Sequence, residues 1–185
     1  MTSIDPNDYI ITRKRKKYRF ALFAGAPNCF ELDAWQSLVD KPSVDVVEVG
    51  AGTALFLVEL ASRYPDQNFV ALDVKADRLQ KGARQAIERG LTNIYFVRAR
   101  ADQLLEVVPL RSLRTVWLTF SDPFPRDSDA KRRLTAPSFL TLYERALLQG
   151  GTLQQKTDSR LLFDWSLEQL ALRGWHIGEV VYDLH

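Results

Sequence analysis

From Val44 onward, short, mainly apolar runs alternate with segments whose apolar positions recur every three or four residues. VDVVEVG (44–50) is a run of the first kind closed by glycine, the pattern of a parallel strand covered on both faces. A helix is predicted from about Thr53 to Arg63, stopped by Tyr64-Pro65-Asp66. NFVALDV (68–74) predicts a second strand. The helix after it begins near Asp77, carries Leu79, Ala83, Ala86 and Ile87 at helical spacing, and ends at Gly90. NIYFVRA (93–99) predicts a strand, DQLLEVV (102–108) a short helix, and LRTVWLTF (113–120) a fourth strand. Thr135 is placed to cap a helix that turns Phe139, Leu140, Tyr143, Ala146 and Leu147 inward and stops at Gly150-Gly151. GTLQQKT (151–157) predicts strand five, 159–173 another helix, and WHIGEVVYDL (175–184) a final strand. This alternation predicts a doubly wound α/β sheet.

The first 43 residues stand outside the alternation. They are expected to form a basic tail and one amphipathic helix over FELDAWQSLV (30–39), packed on a domain spanning 44–185. A chain of 185 residues, 46% hydrophobic and 26% charged, has the size and composition of one globular domain. Its net charge of +2 says little, but the charge is uneven: RKRKKYR (13–19) holds six cations in seven positions, and KRR follows at 131–133. Such clusters in a nearly neutral chain point to a polyanion held at one place. Tyr18, Phe20 and Phe23 interleave with the first cluster, which favours docking over free solvation. The single Cys29 excludes an internal disulfide framework, and His176 and His185 alone supply no zinc-type ligand set, so no metal is expected. Neither a membrane-spanning run nor a signal-peptide pattern is present, and a cytoplasmic protein is expected.

In a doubly wound sheet the site lies at the carboxyl ends of the strands. Strand one ends EVGAGTA, with Glu48, Gly50 and Gly52. The glycines allow a tight turn and close approach of a ligand to the backbone. A dinucleotide fingerprint would need its third glycine where Leu55 stands. Gly-x-Gly-x-Ala after an acid is instead the spacing of S-adenosylmethionine-binding enzymes, in which a carboxylate near the turn suits the cofactor's cationic end. Strand two ends in Asp73, placed to accept from both hydroxyls of a ribose, a position that serves NAD and S-adenosylmethionine alike. Strand four runs into SDPFPRDSDAKRRL (121–134), a proline-stiffened loop that carries Asp122, Arg126, Lys131, Arg132 and Arg133.

LTFSDPFPRDSDAKRRLTAPSFLTLY resembles the signature segment of the tRNA (guanine-N7)-methyltransferase family, with its Asp-Pro-Trp-Pro-Lys turn and its Lys-Arg-Arg-Leu-Thr. The similarity continues through GGTLQQKTDSRLLFDWSLEQL, where Lys156-Thr157-Asp158 matches, and back to EVGAG and ALDV. It covers about Val46 to His185. The resemblance implies a Rossmann-like class I methyltransferase sheet, S-adenosylmethionine as cofactor, tRNA as partner and guanine 46 of the variable loop as target. It implies Glu48, Gly50, Gly52, Asp73 and Asp122 at the cofactor, with Asp122 catalytic, and Arg126, Lys131, Arg132, Arg133 and Asp158 at the substrate. The basic N-terminal run is implied to contact tRNA; the alternative is a solvated tail.

The chain departs from the family at several positions. Phe124 replaces the tryptophan, Arg126 the lysine, and Asp127-Ser128-Asp129-Ala130 a basic stretch. Arg100 stands where the family has an Asp or Asn that holds the adenine, with Asp102 the substitute candidate, and both are expected at the cofactor. Beyond YDLH the family continues with a Thr-x-Tyr-Glu motif and a last antiparallel strand, which this sequence lacks; a shortened form, an enzyme working without them, or lost activity are the three expectations.

The implied chemistry asks little of the residues. Guanine N7 has an exposed lone pair at neutral pH, so no general base is required, and catalysis is positioning plus electrostatics. Asp122 and Asp158, at the ends of adjacent strands, are candidates to hold the guanine N1 and N2 donors; as bland alternatives, Asp122 is a turn aspartate and Asp158 a helix cap. Arg126 and the KRR cluster are expected on phosphates, and Phe124 either on a base or in the core. Two other functions compete: methyl transfer to another nitrogen, and tRNA binding without catalysis by a relative with a decayed cofactor pocket. The oligomeric state stays open between monomer and homodimer.

Overall fold

The apolar run at 44–50 becomes the centre of the molecule. The computed structural model describes residues 14–183, with side chains from residue 16 onward. In chain order the elements are α1 (Lys14–Ala24), β1 (Cys29–Glu31), α2 (Leu32–Gln36), β2 (Val46–Val49), α3 (Leu55–Arg63), β3 (Phe69–Asp73) and α4 (Ala76–Glu88). There follow β4 (Ile94–Arg98), α5 (Leu104–Val107), β5 (Leu113–Thr119), α6 (Pro137–Ala146), β6 (Leu147–Lys156) and α7 (Arg160–Leu172). The strands form one sheet in the order β1-β4-β3-β2-β5-β6, parallel at every pairing.

Successive side chains of a strand face opposite ways, and β2 shows the consequence. Val47 and Val49 join Trp35, Leu104, Leu140 and Tyr143 in the core beneath α2, α5 and α6. Val46 joins Phe23, Leu57, Leu79 and Ala83 beneath α1, α3 and α4. Both faces are covered, which is why the central strands are apolar at nearly every position. The chain winds from β2 through β3 to β4, then crosses to β5 on the other flank of β2. Winding reverses between β2 and β5, and a crevice opens past their carboxyl ends.

The predicted α/β alternation from 44 to 173 is present, with four differences at its margins. Thr135 does not cap α6: Ala136 holds the cap position without a side-chain hydrogen bond, Pro137 starts the helix, and the Thr135 hydroxyl lies 2.7 Å from that of Ser166. Gly150-Gly151 does not end that helix. Strand β6 has already begun at Leu147, and the two glycines sit in a bulge where the register passes from Leu113↔Leu147 to Thr115↔Thr152. A side chain on Gly151 would meet the Leu113 carbonyl oxygen at 3.1 Å, and Gly150 is left-handed (φ 79°), so the bulge favours glycine at both positions.

The expected final strand is not formed by residues 175–183; Leu184 and His185 lie outside the described residues. Trp175 instead donates its indole N–H to Glu144 at 2.8 Å, and Tyr182 packs its ring on Phe163 at 5.1 Å. The N-terminal region holds more structure than a tail and one helix. Most of the RKRKKYR run lies on α1, which packs on α4, while Arg13 and the side chains of Lys14 and Arg15 lie outside the described residues. FELDAWQSLV divides: Phe30 and Glu31 belong to β1, paired with Val97 and Arg98, and only Leu32–Gln36 is helical. A three-residue strand is too short to show alternation, so only its pairing reveals it. Among the described residues no helix is long and apolar enough to cross a membrane.

Candidate active site at the carboxyl edge of the sheet

Two adjoining hollows open past the strand ends. A cleft of about 440 Å³ is lined by Gly50, Asp73, Val74, Arg100 and Asp122 among others. A second hollow of about 380 Å³ lies on the other side of the glycine turn, against Glu48, Gly52, Thr53, Phe56 and Thr119. Gly50, Arg78 and Phe120 line both.

The turn after β2 is left-handed at three positions, Gly50 (φ 72°), Gly52 (φ 56°) and Ala54 (φ 54°). A side chain on Gly50 would also meet Leu134 Cδ1 at 3.0 Å. The turn is tied across to β3 by Asp73. This nearly buried carboxylate accepts from the Gly52 N–H through Oδ2 and from the Lys75 N–H through Oδ1, both at 2.8 Å. Asp73 thus fixes both loops that border the cleft, and each oxygen keeps a lone pair for a further donor.

Glu48 points to the same side of the sheet as Val46 and is only 1% exposed. The Thr119 hydroxyl donates to Oε1, while Oε2 is buried and unpartnered. Burial pushes the carboxyl up to about 7, the Thr119 hydrogen bond opposes this, and the nearby charge of Asp73 adds to it. A buried acid with an unpartnered oxygen, in the wall of a hollow, suits a donor or a cation.

Asp122 and Asp158 leave the same end of neighbouring strands. The last ladder pair is Thr119↔Lys156, and the Phe120 N–H still donates to the Lys156 carbonyl at 2.8 Å. Asp122 is exposed on the cleft; Asp158 is exposed and lines neither hollow. The cap of α7 is Ser159, whose hydroxyl accepts from the Leu162 N–H, so Asp158 is not spent as a cap. The Asp122 loop is held in left-handed backbone at Phe120 (φ 48°) and Phe124 (φ 41°), costly for non-glycine residues unless the surroundings enforce it.

Arg133 supplies the enforcement, and this corrects the phosphate role expected of it. It is 2% exposed, donates to the carbonyls of Pro123 and Phe124, and lies 4.6 Å from the Trp165 ring centre. The backbone extends at Arg133 after the 3-10 turn Asp127–Arg132, which sends neighbouring side chains apart. Lys131 and Arg126 are exposed and line neither hollow. Arg132 borders the cleft, 4.3 Å over the Phe124 ring and 3.3 Å from Asp129. One face of Phe124 is therefore covered by a cation. Arg100 pairs with Asp102, and both are exposed; the cleft stays open beside them. Asp102 does not border the cleft, and its carboxylate is engaged by that guanidinium. Sequence reasoning gave no role to Thr119, Phe120 and Arg78, and took Trp165 only as part of the family's pattern. Thr119 and Phe120 lie inside the signature segment; Arg78 carried no local signal.

A family model described as a putative methyltransferase matches residues 42–175. A tRNA (guanine-N(7)-)-methyltransferase of Cytophaga hutchinsonii is 38% identical over 148 residues, which cover 80% of this chain and 67% of that protein. Another, of Lachnoclostridium phytofermentans, is 34% identical over 151 residues, covering 82% and 71%. Among solved structures, a SAM-dependent methyltransferase from Aquifex aeolicus superposes with a TM-score of 0.56 at 18% identity, covering 75% of this chain and 76% of that one. An antibiotic-related methyltransferase superposes with 0.57 at 14% identity, covering 78% and 80%. These likenesses establish the fold as that of the class I methyltransferases.

Proposed function

The chain belongs to the tRNA (guanine-N(7)-)-methyltransferase family, and we propose from that membership that it methylates N7 of a guanine in tRNA, guanine 46, with S-adenosylmethionine as donor. The observation that carries this reading is the pair of joined hollows between β2 and β5, bordered by the Gly50 turn, buried Glu48 and exposed Asp122. A tRNA substrate is consistent with the expected cytoplasmic location.

The residues fit such a cofactor on structural grounds. The unpartnered Oε2 of Glu48 suits a cationic group, and the left-handed turn brings backbone close to a ligand where a Cβ would intrude. Asp73, with lone pairs remaining, suits ribose hydroxyls. Arg100 leans on Asp102 and leaves the cleft open, which argues against a decayed pocket in a merely RNA-binding relative.

When bound, S-adenosylmethionine supplies an electrophilic methyl group, for which guanine N7 already has a free lone pair. What remains for the protein is placement and charge. Asp122 accepts from the guanine N1 and N2 donors, turns N7 toward the cleft, and offsets the positive charge the ring acquires. Asp158, two residues past the last ladder position of β6, assists from the rim. Arg126, Lys131 and Arg132 engage phosphates around the target base. Arg133 acts at one remove, by holding the loop from which Asp122 projects.

Unmodified tRNA incubated with enzyme and S-adenosylmethionine, then reduced and cleaved with aniline, is expected to break at one N7-methylguanine in the variable loop. No break, or methylation at another atom, rejects the assignment. Asp122→Asn is expected to lower transfer by about 100-fold or more and to keep the affinity for S-adenosylhomocysteine within a few-fold. Lost affinity would move Asp122 to the cofactor alone.

A further inference from the structure

Arg78 stands on α4 at the junction of the two hollows and lines both. It is exposed, and among the described residues its guanidinium has no partner. The other two guanidinium groups on the cleft are engaged, Arg100 by Asp102 and Arg132 by Asp129 and the Phe124 ring. Glu48 also lines the second hollow, and its buried Oε2 has no partner. One hollow is therefore lined by an acid with an unpartnered oxygen and by a guanidinium that no described residue holds, with Gly50 and Gly52 of the turn beside them.

That pairing selects its ligand. A simple anion would satisfy Arg78 but face Glu48, with Asp73 close behind it. A simple cation would satisfy Glu48 and leave Arg78 idle. An α-amino-acid group, with ammonium and carboxylate on one carbon, satisfies both. We propose that Arg78 binds the carboxylate of the methyl donor's amino-acid end, while Glu48 takes its ammonium. The planar guanidinium fork matches a carboxylate through two parallel N–H bonds, which a lysine could not supply. A phosphate of the tRNA backbone is the rival source of an oxyanion for Arg78. It has no positive group for Glu48, and the two-charge hollow argues for the amino acid.

The inference rests on the cofactor reading above, and calorimetry separates the two. S-adenosylhomocysteine carries the amino-acid end; 5′-methylthioadenosine lacks it. If the unsubstituted protein does not bind S-adenosylhomocysteine, the cofactor reading fails and this inference falls with it. If it binds both compounds equally, the cofactor reading stands and the amino-acid pocket is rejected. Arg78→Gln is expected to weaken S-adenosylhomocysteine by about 10- to 100-fold and to leave 5′-methylthioadenosine unchanged. Arg78→Lys should restore only part of the loss. An unchanged affinity for S-adenosylhomocysteine in Arg78→Gln, with a raised KM for tRNA, would assign the guanidinium to the phosphate backbone and overturn the proposal. Equal weakening of both compounds in Arg78→Gln and Arg78→Lys alike would overturn it too, by placing Arg78 at the nucleoside or in the fold.

Discussion

Arg133 donates from Nη2 to the backbone carbonyl of Phe124 at 2.9 Å and from Nε to the same oxygen at 3.2 Å, while its guanidinium faces the Trp165 ring. The contact clamps Phe124 in left-handed backbone two residues after Asp122. Arg133→Ala would leave two carbonyls short of a donor and a void against α7. The expected loss is about 2–4 kcal/mol of unfolding free energy, read from the urea midpoint. At temperatures where the variant stays folded, kcat should fall while the salt dependence of tRNA binding is retained. Arg133→Lys should rescue little, because an ammonium lacks the fork.

Arg132, one residue earlier, should behave in the opposite way. It is exposed at the cleft and loosely paired. Arg132→Ala is expected to leave the urea midpoint nearly unchanged, to weaken tRNA binding, and to reduce the slope of log K against log salt by about 1. Filter binding between low and moderate salt measures it; an unchanged slope removes Arg132 from the phosphate contacts.

Glu48 makes stability depend on pH in an unusual direction. Burial first, opposed by Thr119 and aided by Asp73, raises its carboxyl from 4.5 to about 7 in the folded protein. Between those values the folded state holds a proton that the unfolded chain has released. The contribution is therefore complete below 4.5 and is lost as pH rises through 7, about 3 kcal/mol in all. Glu48→Gln, which cannot titrate, should flatten the urea midpoint between pH 5 and 8. An ammonium at Glu48 needs the ionised form, so S-adenosylhomocysteine should bind up to about tenfold more tightly per pH unit approaching 7. Proton release should appear as a buffer-dependent heat of binding.

Gly82 couples α4 to the glycine turn. A Cβ there would lie 2.5 Å from the Thr53 carbonyl oxygen and 2.9 Å from Phe96 Cε1. Gly82→Ala must push α4 or the turn aside, at an expected about 1–3 kcal/mol. Because Arg78 lies one turn earlier on α4, S-adenosylhomocysteine should weaken as well. An unchanged affinity would show that the turn tolerates the shift.

The sheet was legible because its pattern is local. Covered parallel strands such as Val46–Val49 and Phe69–Asp73 are buried at every position and bounded by turns, and that shows in any window of ten residues. The glycine turn, Asp73 and the Asp122 loop were legible too, since they sit where strands end. Element β1 was not, because three residues are too few for a period to register, and α2 was read over 30–39 where only Leu32–Gln36 is helical.

Residue type and spacing along the chain decided the doubly wound architecture, the family and the carboxyl edge at which chemistry is concentrated. They did not decide which cations face solvent. In Lys131-Arg132-Arg133 the formal charges are alike, yet Arg133 is buried against Trp165, thirty-two positions along, and only folding brings those two together. The same holds for Arg78, which shares with Glu48 a hollow whose walls come from α4, β2 and the turn after β2. A side chain's partners across the fold, and the solvation those partners leave it, are set by packing between distant segments, which local order along the chain does not encode.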